Sequence, residues 1–136
     1  MILKDAGKVI DYAFDAQSFI DTHAKRITDH YLHAREKHPY FCDELIPHDF
    51  TAEESDGRLR VTRYDMKRKV AYGCLASVDV LDCETEEMEN AITHGDTAHA
   101  IEECYDAIAV LLRTIDVLEG RQKLGKPEDA AKGTDI

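Results

Sequence analysis

The sequence contains no apolar run approaching the roughly 20 residues that a helix needs to cross a bilayer, so it offers no candidate membrane span. None of its four cysteines, Cys42, Cys74, Cys83 and Cys104, forms a CxxC pair, which excludes a zinc ribbon and a thioredoxin-like redox motif. There is no GxxxxGK[ST] loop, no GxGxxG and no GxSxG elbow, so P-loop, dinucleotide and α/β-hydrolase chemistry lack their carriers. The opening residues include Asp5 and Asp11 and no long apolar stretch, unlike a secretory signal. The chain therefore reads as cytoplasmic, with its cysteines reduced and mostly buried.

Positive charge is scarce. Lys and Arg number 17 against 28 Asp and Glu, a net charge of −11. Phosphate backbones repel such a chain, so a nucleic-acid polymer is a disfavoured partner. One stretch runs against this balance: Arg58, Arg60, Arg63, Lys67, Arg68 and Lys69 are interrupted by one acid, Asp65. It is either a solvated segment or a face for a small polyphosphate.

With 136 residues, 43% of them apolar and 33% charged, the chain has the size and composition of one ordinary globular domain. The periodicity predicts an all-α bundle of long antiparallel helices over residues 1–120, with a mobile polar tail over 121–136. Ile10, Ala13, Gln17, Ile20, Ala24, Ile27, Tyr31 and Ala34 mark a first helix over 9–37, its stripe interrupted only by Gln17. Pro39 disfavours helix at His38 and ends it. Residues 39–64 read as a long connection, with a short strand or extended piece where polar and apolar residues alternate from Arg58 to Tyr64. Loops of that length usually have a function. A second helix is expected over 65–93, weakened at Gly73, then a turn at Gly95 and Asp96. A third is expected over 97–119, stopped by Gly120.

A helical wheel places Val80, Glu84, Glu87 and Ala91 in one row of the second helix. Beside it runs the main apolar stripe, Val70, Cys74, Ser77, Leu81, Met88 and Ile92. Asp79, Asp82, Glu86 and Asn90 fall on the outward face. On the third helix the main stripe is Ile101, Cys104, Tyr105, Ile108, Leu111, Leu112 and Ile115. Glu103 and Asp106 head a second face continued by Ala107, Val110 and Val117. A helix apolar on two sides is central in a bundle or shared with a second subunit. Glu87 lies eight residues before Gly95 and Glu103 eight after it, so antiparallel packing sets them level, with Glu84 and Asp106 one turn further. Four carboxylates at one level repel, and burial makes them costlier. A hard divalent cation such as Mg²⁺, which takes oxygen ligands and retains waters, relieves both. The competing reading is a solvated acidic face.

These residues resemble a known family. MazG-like nucleotide pyrophosphohydrolases carry EExxE on one helix and ExxD on the next. Here Cys83-Glu84-Thr85-Glu86-Glu87 is followed by Ala91-Ile92 and Gly95-Asp96. Glu103-Cys104-Tyr105-Asp106 then opens an apolar helix reaching Arg113. The stretch from Arg35 to Phe41 also resembles a segment upstream of the motif in some members, and the likeness spans about residues 30–120. Cys83 stands where the family has its first Glu, and a thiol is a poor ligand for a hard cation. The register starting at Glu86 and Glu87 instead loses the last Glu, to Asn90.

The resemblance implies hydrolysis of a nucleoside triphosphate between its α and β phosphates, with Mg²⁺ or Mn²⁺ on Glu84, Glu87, Glu103 and Asp106. Glu84, ahead of Glu87, is the expected base for the attacking water. Lys37, Lys67, Arg68 and Arg113 are candidates for the leaving pyrophosphate. Tyr40 or Phe41 is a candidate to stack on the base, with core packing the competing role of Phe41. A homodimer or homotetramer is implied. The alternative on the same fold is a protein that holds a nucleotide without turning it over; a plain helical interaction module is the third reading. His30, His33, His38 and Cys42 match no strong zinc pattern. Nothing in the sequence orients a histidine toward Cys83 or Cys104 as a nucleophile.

Overall fold

A computed structural model describes residues 6–40 and 42–124, with side chains from residue 15 onward. Every regular element among them is an α-helix: α1 (Ala6–Lys37), α2 (Ala52–Ala71), α3 (Ser77–Thr93) and α4 (Thr97–Lys123). No helix among the described residues is long and apolar enough to cross a membrane. The chain divides into two units, Met1–Glu44 and Leu45–Ile136.

The first unit is α1. Local pairs support it, including Gln17 to Asp21 at 3.0 Å and Lys25 to Asp29 at 2.8 Å, both spaced i, i+4. Arg35 and Lys37 sit in its last turn, where cations suit the helix dipole. Of its expected stripe, Ile20, Ile27 and Tyr31 are exposed. The helix ends just before Pro39, with the His38 N–H donating to Ala34 O at 2.9 Å.

The second unit is a three-helix array in which α3 packs against both α2 and α4. It corrects the expected connection: residues 52–71 are helix, and no strand forms from Arg58 to Tyr64. The start signal is a capping box. Thr51 Oγ1 accepts the Glu54 N–H at 3.1 Å, and Glu54 Oε1 accepts the Thr51 N–H at 3.4 Å. The expected second helix is broken in two at Gly73, whose φ of 68° is left-handed. The Cys74 N–H reaches Lys69 O and the Gly73 N–H reaches Val70 O, closing a Schellman motif. Gly95, at φ 75°, ends α3 in the same way. Asp96 then caps α4 by accepting the His99 N–H at 3.1 Å. Gly120 does not stop α4, which runs to Lys123 and takes in the start of the expected tail. Phe41 and the rest of that tail, from Gly125, lie outside the described residues.

Two antiparallel registers fix the array. Between α2 and α3, Asn90 donates to Asp56 at 2.7 Å and Arg58 to Glu89 at 3.2 Å. Further along, Thr62 donates to Glu86 at 2.6 Å and Lys69 to Asp79 at 2.6 Å. Of the face of α3 expected to point outward, Asp79, Glu86 and Asn90 instead seat α2, and Asp82 is exposed as expected. Between α3 and α4, Met88 meets Cys104, and Ser77 meets Thr114.

The seam of α4 is not its most apolar stripe. Ala100 and Glu103 are buried, and Ala107, Val110 and Thr114 continue that row half-buried. Of the expected main stripe, Ile101, Cys104, Tyr105, Ile108, Leu111 and Ile115 are exposed and Leu112 is half-buried. Of the cysteines only Cys83 is buried; Cys42, Cys74 and Cys104 are exposed, against expectation.

The α2 cap gives a direct check. Thr51→Ala removes one side of the capping box and is expected to lower unfolding stability by about 1 kcal/mol. Urea denaturation followed by circular dichroism measures it; an unchanged midpoint contradicts the assigned helix start.

Candidate functional site

Three of the four expected carboxylates converge. Glu84 and Glu87 of α3 and Glu103 of α4 each offer an oxygen within 4.8 Å of the others. Their convergence follows from the seam. Glu84 and Glu87 are one turn apart on α3, and Glu103 takes the place of an apolar residue between Ala100 and Ala107. Glu103 is only 6% exposed, and Glu84 and Glu87 are half-buried. The Oε2 atoms of Glu84 and Glu103 are both buried without a hydrogen-bond partner.

Asp106 is not part of this group. It is exposed and lies outside the cluster. On the helix wheel Asp106 lies about 60° from Glu103 on the side away from Ala100 and Ala107, which places it at the edge of the seam. His99, one turn before Glu103, comes to the cluster instead, with Nε2 2.9 Å from Glu103 Oε1. The spacing His-x-x-x-Glu was its only signal in the sequence.

Glu87 is held from two sides. The Cys83 thiol donates to its Oε1 at 3.3 Å, and Arg63 Nη2 of α2 lies 3.6 Å from the same oxygen. Burial pushes the Cys83 thiol up to about 12, helped by its hydrogen bond to Glu87 and by the nearby carboxylate charges. It is a neutral hydrogen-bond donor at physiological pH and is neither a thiolate nucleophile nor a hard-cation ligand. Burial is also the first cause that pushes Glu103 up to about 8; hydrogen bonding and charge from Glu84 and Glu87 add to it. Without a cation the cluster thus retains a proton that an exposed carboxylate would have lost.

The donor set fits a hard divalent cation. It supplies three carboxylates, and two of their oxygens are buried and unsatisfied by the protein. The cluster uses Glu84 and Glu87, the pair from the register that begins at Cys83. Of the other register, Glu86 bonds Thr62, while Asn90 bonds Ser55 at 3.0 Å and Asp56 at 2.7 Å. No other group of three metal-ligating side chains gathers among the described residues, so His30, His33, His38 and Cys42 do not assemble into one.

The expected phosphate contacts scatter. Lys67 lines an open groove of about 500 Å³ beside α2, with Asp56, Leu59, Arg60, Arg63, Tyr64 and Asn90. Arg68 is exposed and does not line it. Arg113 is exposed, 3.7 Å from Asp116, and ten residues or about 15 Å along α4 from Glu103. Lys37 belongs to the first unit, and Tyr40 beside it is 82% exposed. Arg60 and Arg63 belong to the basic stretch read as a candidate polyphosphate face, but the segment read as extended, so their shared helix face with Tyr64 and Lys67 was not expected. Comparison with family models, curated proteins and solved structures found no match to this chain.

The raised Glu103 value sets a pH dependence. Its folded value, about 8, lies above the ordinary 4.5, so between the two the folded chain binds a proton that the unfolded chain has released. Stability in cation-free buffer is therefore expected to fall as pH rises from about 5 to about 8. Melting temperature against pH measures this, and Glu103→Gln should flatten the fall. An equal slope in the variant would assign the effect elsewhere.

Proposed function

We propose that the chain is a Mg²⁺-dependent nucleoside triphosphate pyrophosphohydrolase of the MazG-like kind, converting an NTP or dNTP and water to the monophosphate and pyrophosphate. The observation that carries this is the convergence of Glu84, Glu87 and Glu103, with two buried oxygens left unpartnered. These three residues would hold Mg²⁺, or Mn²⁺ in its place. Bound there, the cation neutralises phosphate charge and acidifies a water.

Glu84 serves as the base. Oε2 is unpartnered in both Glu84 and Glu103, but Glu87 is engaged at Oε1 by Cys83 and Arg63 and Glu103 at Oε1 by His99, whereas no basic side chain pairs with Glu84 among the described residues. A water oxygen bonds to the α-phosphorus while the bridging bond to the β-phosphate breaks. Glu84 receives the water proton and pyrophosphate leaves with the electron pair. Arg63 touches the cluster through Glu87, and Lys67 lines the same groove as Arg63. The exposed stripe of α4, from Ile101 to Ile115, supports a homodimer or homotetramer as the working form, in the cytoplasm.

One observation favours a second reading, a nucleotide-holding protein without turnover. The family's first Glu is here Cys83, buried and neutral, so one hard ligand or water-orienting group is missing.

Pyrophosphate release from canonical and modified NTPs and dNTPs, with Mg²⁺ or Mn²⁺, decides between them. Turnover that Glu103→Ala abolishes and Cys83→Glu preserves or raises is the expected result. Nucleotide binding with no release in the wild type selects the second reading. No release and no binding overturns both.

A further inference from the structure

The basic residues of α2 line a groove that shares Arg63 with the carboxylate cluster and otherwise has its own lining. Arg60, Arg63, Tyr64 and Lys67 share one face of the helix and border the groove whose other end holds Asp56 and Asn90. In a chain of net charge −11, three cations facing one groove are a local reversal of the field. Arg63 is engaged at 3.6 Å by Glu87, while Arg60 and Lys67 form no ion pair among the described residues. The volume, about 500 Å³, is within the range of small-molecule sites.

The groove also has a direction. The Asp56 carboxyl is held below its ordinary range by hydrogen bonds from His94 and Asn90, so it is an anion at neutral pH. It repels phosphate from its own end, which leaves the Arg63 and Lys67 end for the most charged part of a ligand. The Tyr64 ring, 63% exposed, offers an aromatic face within the groove. Base-on-aromatic stacking accepts any base.

We infer that this groove seats a nucleotide, its phosphate chain on Arg60, Arg63 and Lys67 and its base against Tyr64. The inference rests on the nucleotide reading above for the base; the anion seat stands on the groove's own charges and requires no cation. That independence makes it separately testable. Titration calorimetry of the full chain in EDTA, with inorganic tripolyphosphate and with ATP, is the experiment. Both ligands should bind the wild type. Arg60→Ala combined with Lys67→Ala should weaken both by about tenfold or more. Tyr64→Ala should weaken ATP and leave tripolyphosphate unchanged, and Arg113→Ala should change neither. All the substituted side chains are exposed, and circular dichroism verifies that each variant keeps its helices.

No binding of either ligand to the wild type overturns the proposal. So does equal affinity in the double variant, and an unchanged ATP affinity in Tyr64→Ala overturns the placement of the base. Binding in EDTA without pyrophosphate release under Mg²⁺ preserves the groove and defeats the hydrolase. Release whose KM is unmoved by the double variant preserves the hydrolase and defeats the groove.

Discussion

The second unit is organised around an unfavourable interaction: three carboxylates share one helix seam, and the most buried of them is Glu103. Desolvation and mutual repulsion both penalise that arrangement. The surrounding residues answer it piecemeal. His99 lies against Glu103, while Cys83 and Arg63 converge on Glu87. A retained proton relieves part of what remains. Ala91 and Ala100, small and buried near the turn, let α3 and α4 approach closely there.

The other side of α3 follows a different rule. Its contact with α2 is mostly polar, running from Asn90 and Asp56 at one end to Asp79 and Lys69 at the other. Polar pairs at a contact still reached by solvent contribute little singly. They specify register more than they supply stability, and Leu59 is the one large apolar side chain of α2 that is buried. Asp79 joins the ends of the two helices, accepting both the Lys69 ammonium and the Ala76 N–H.

How much of this was legible in the sequence depended on periodicity. The helices α1 and α4, and the turn between α3 and α4, show in the apolar spacing and in Gly95-Asp96. The level placement of Glu87 and Glu103 follows from counting out from that turn. α2 was not legible by the same means, because its buried face holds little besides Ser55 and Leu59 and its remaining contacts are charged or polar. Its own signal was chemical, the Thr51 and Glu54 capping box, and Asp56-Gly57 obscured it by looking like a turn. The seam of α4 was misjudged because apolarity was taken to mark the intramolecular face. A helix that buries Glu103 through Ala100, Ala107 and Val110 leaves its larger apolar residues for the opposite side. Asp106 failed for another reason: it was grouped with Glu103 on the second face, but the seam runs through Ala100, Glu103, Ala107 and Val110, and Asp106 lies at its exposed edge.

Arg63 is the side chain that touches both halves of the candidate site. It borders the groove on α2 and lies 3.6 Å from Glu87 on α3. A guanidinium so placed is shared between two claimants. Whatever draws Glu87 away from it loosens Arg63 for the groove, and whatever draws Arg63 into the groove unburdens Glu87. Thermodynamic reciprocity makes the two effects equal in size, so the contact would act as a balance arm between whatever the two halves bind.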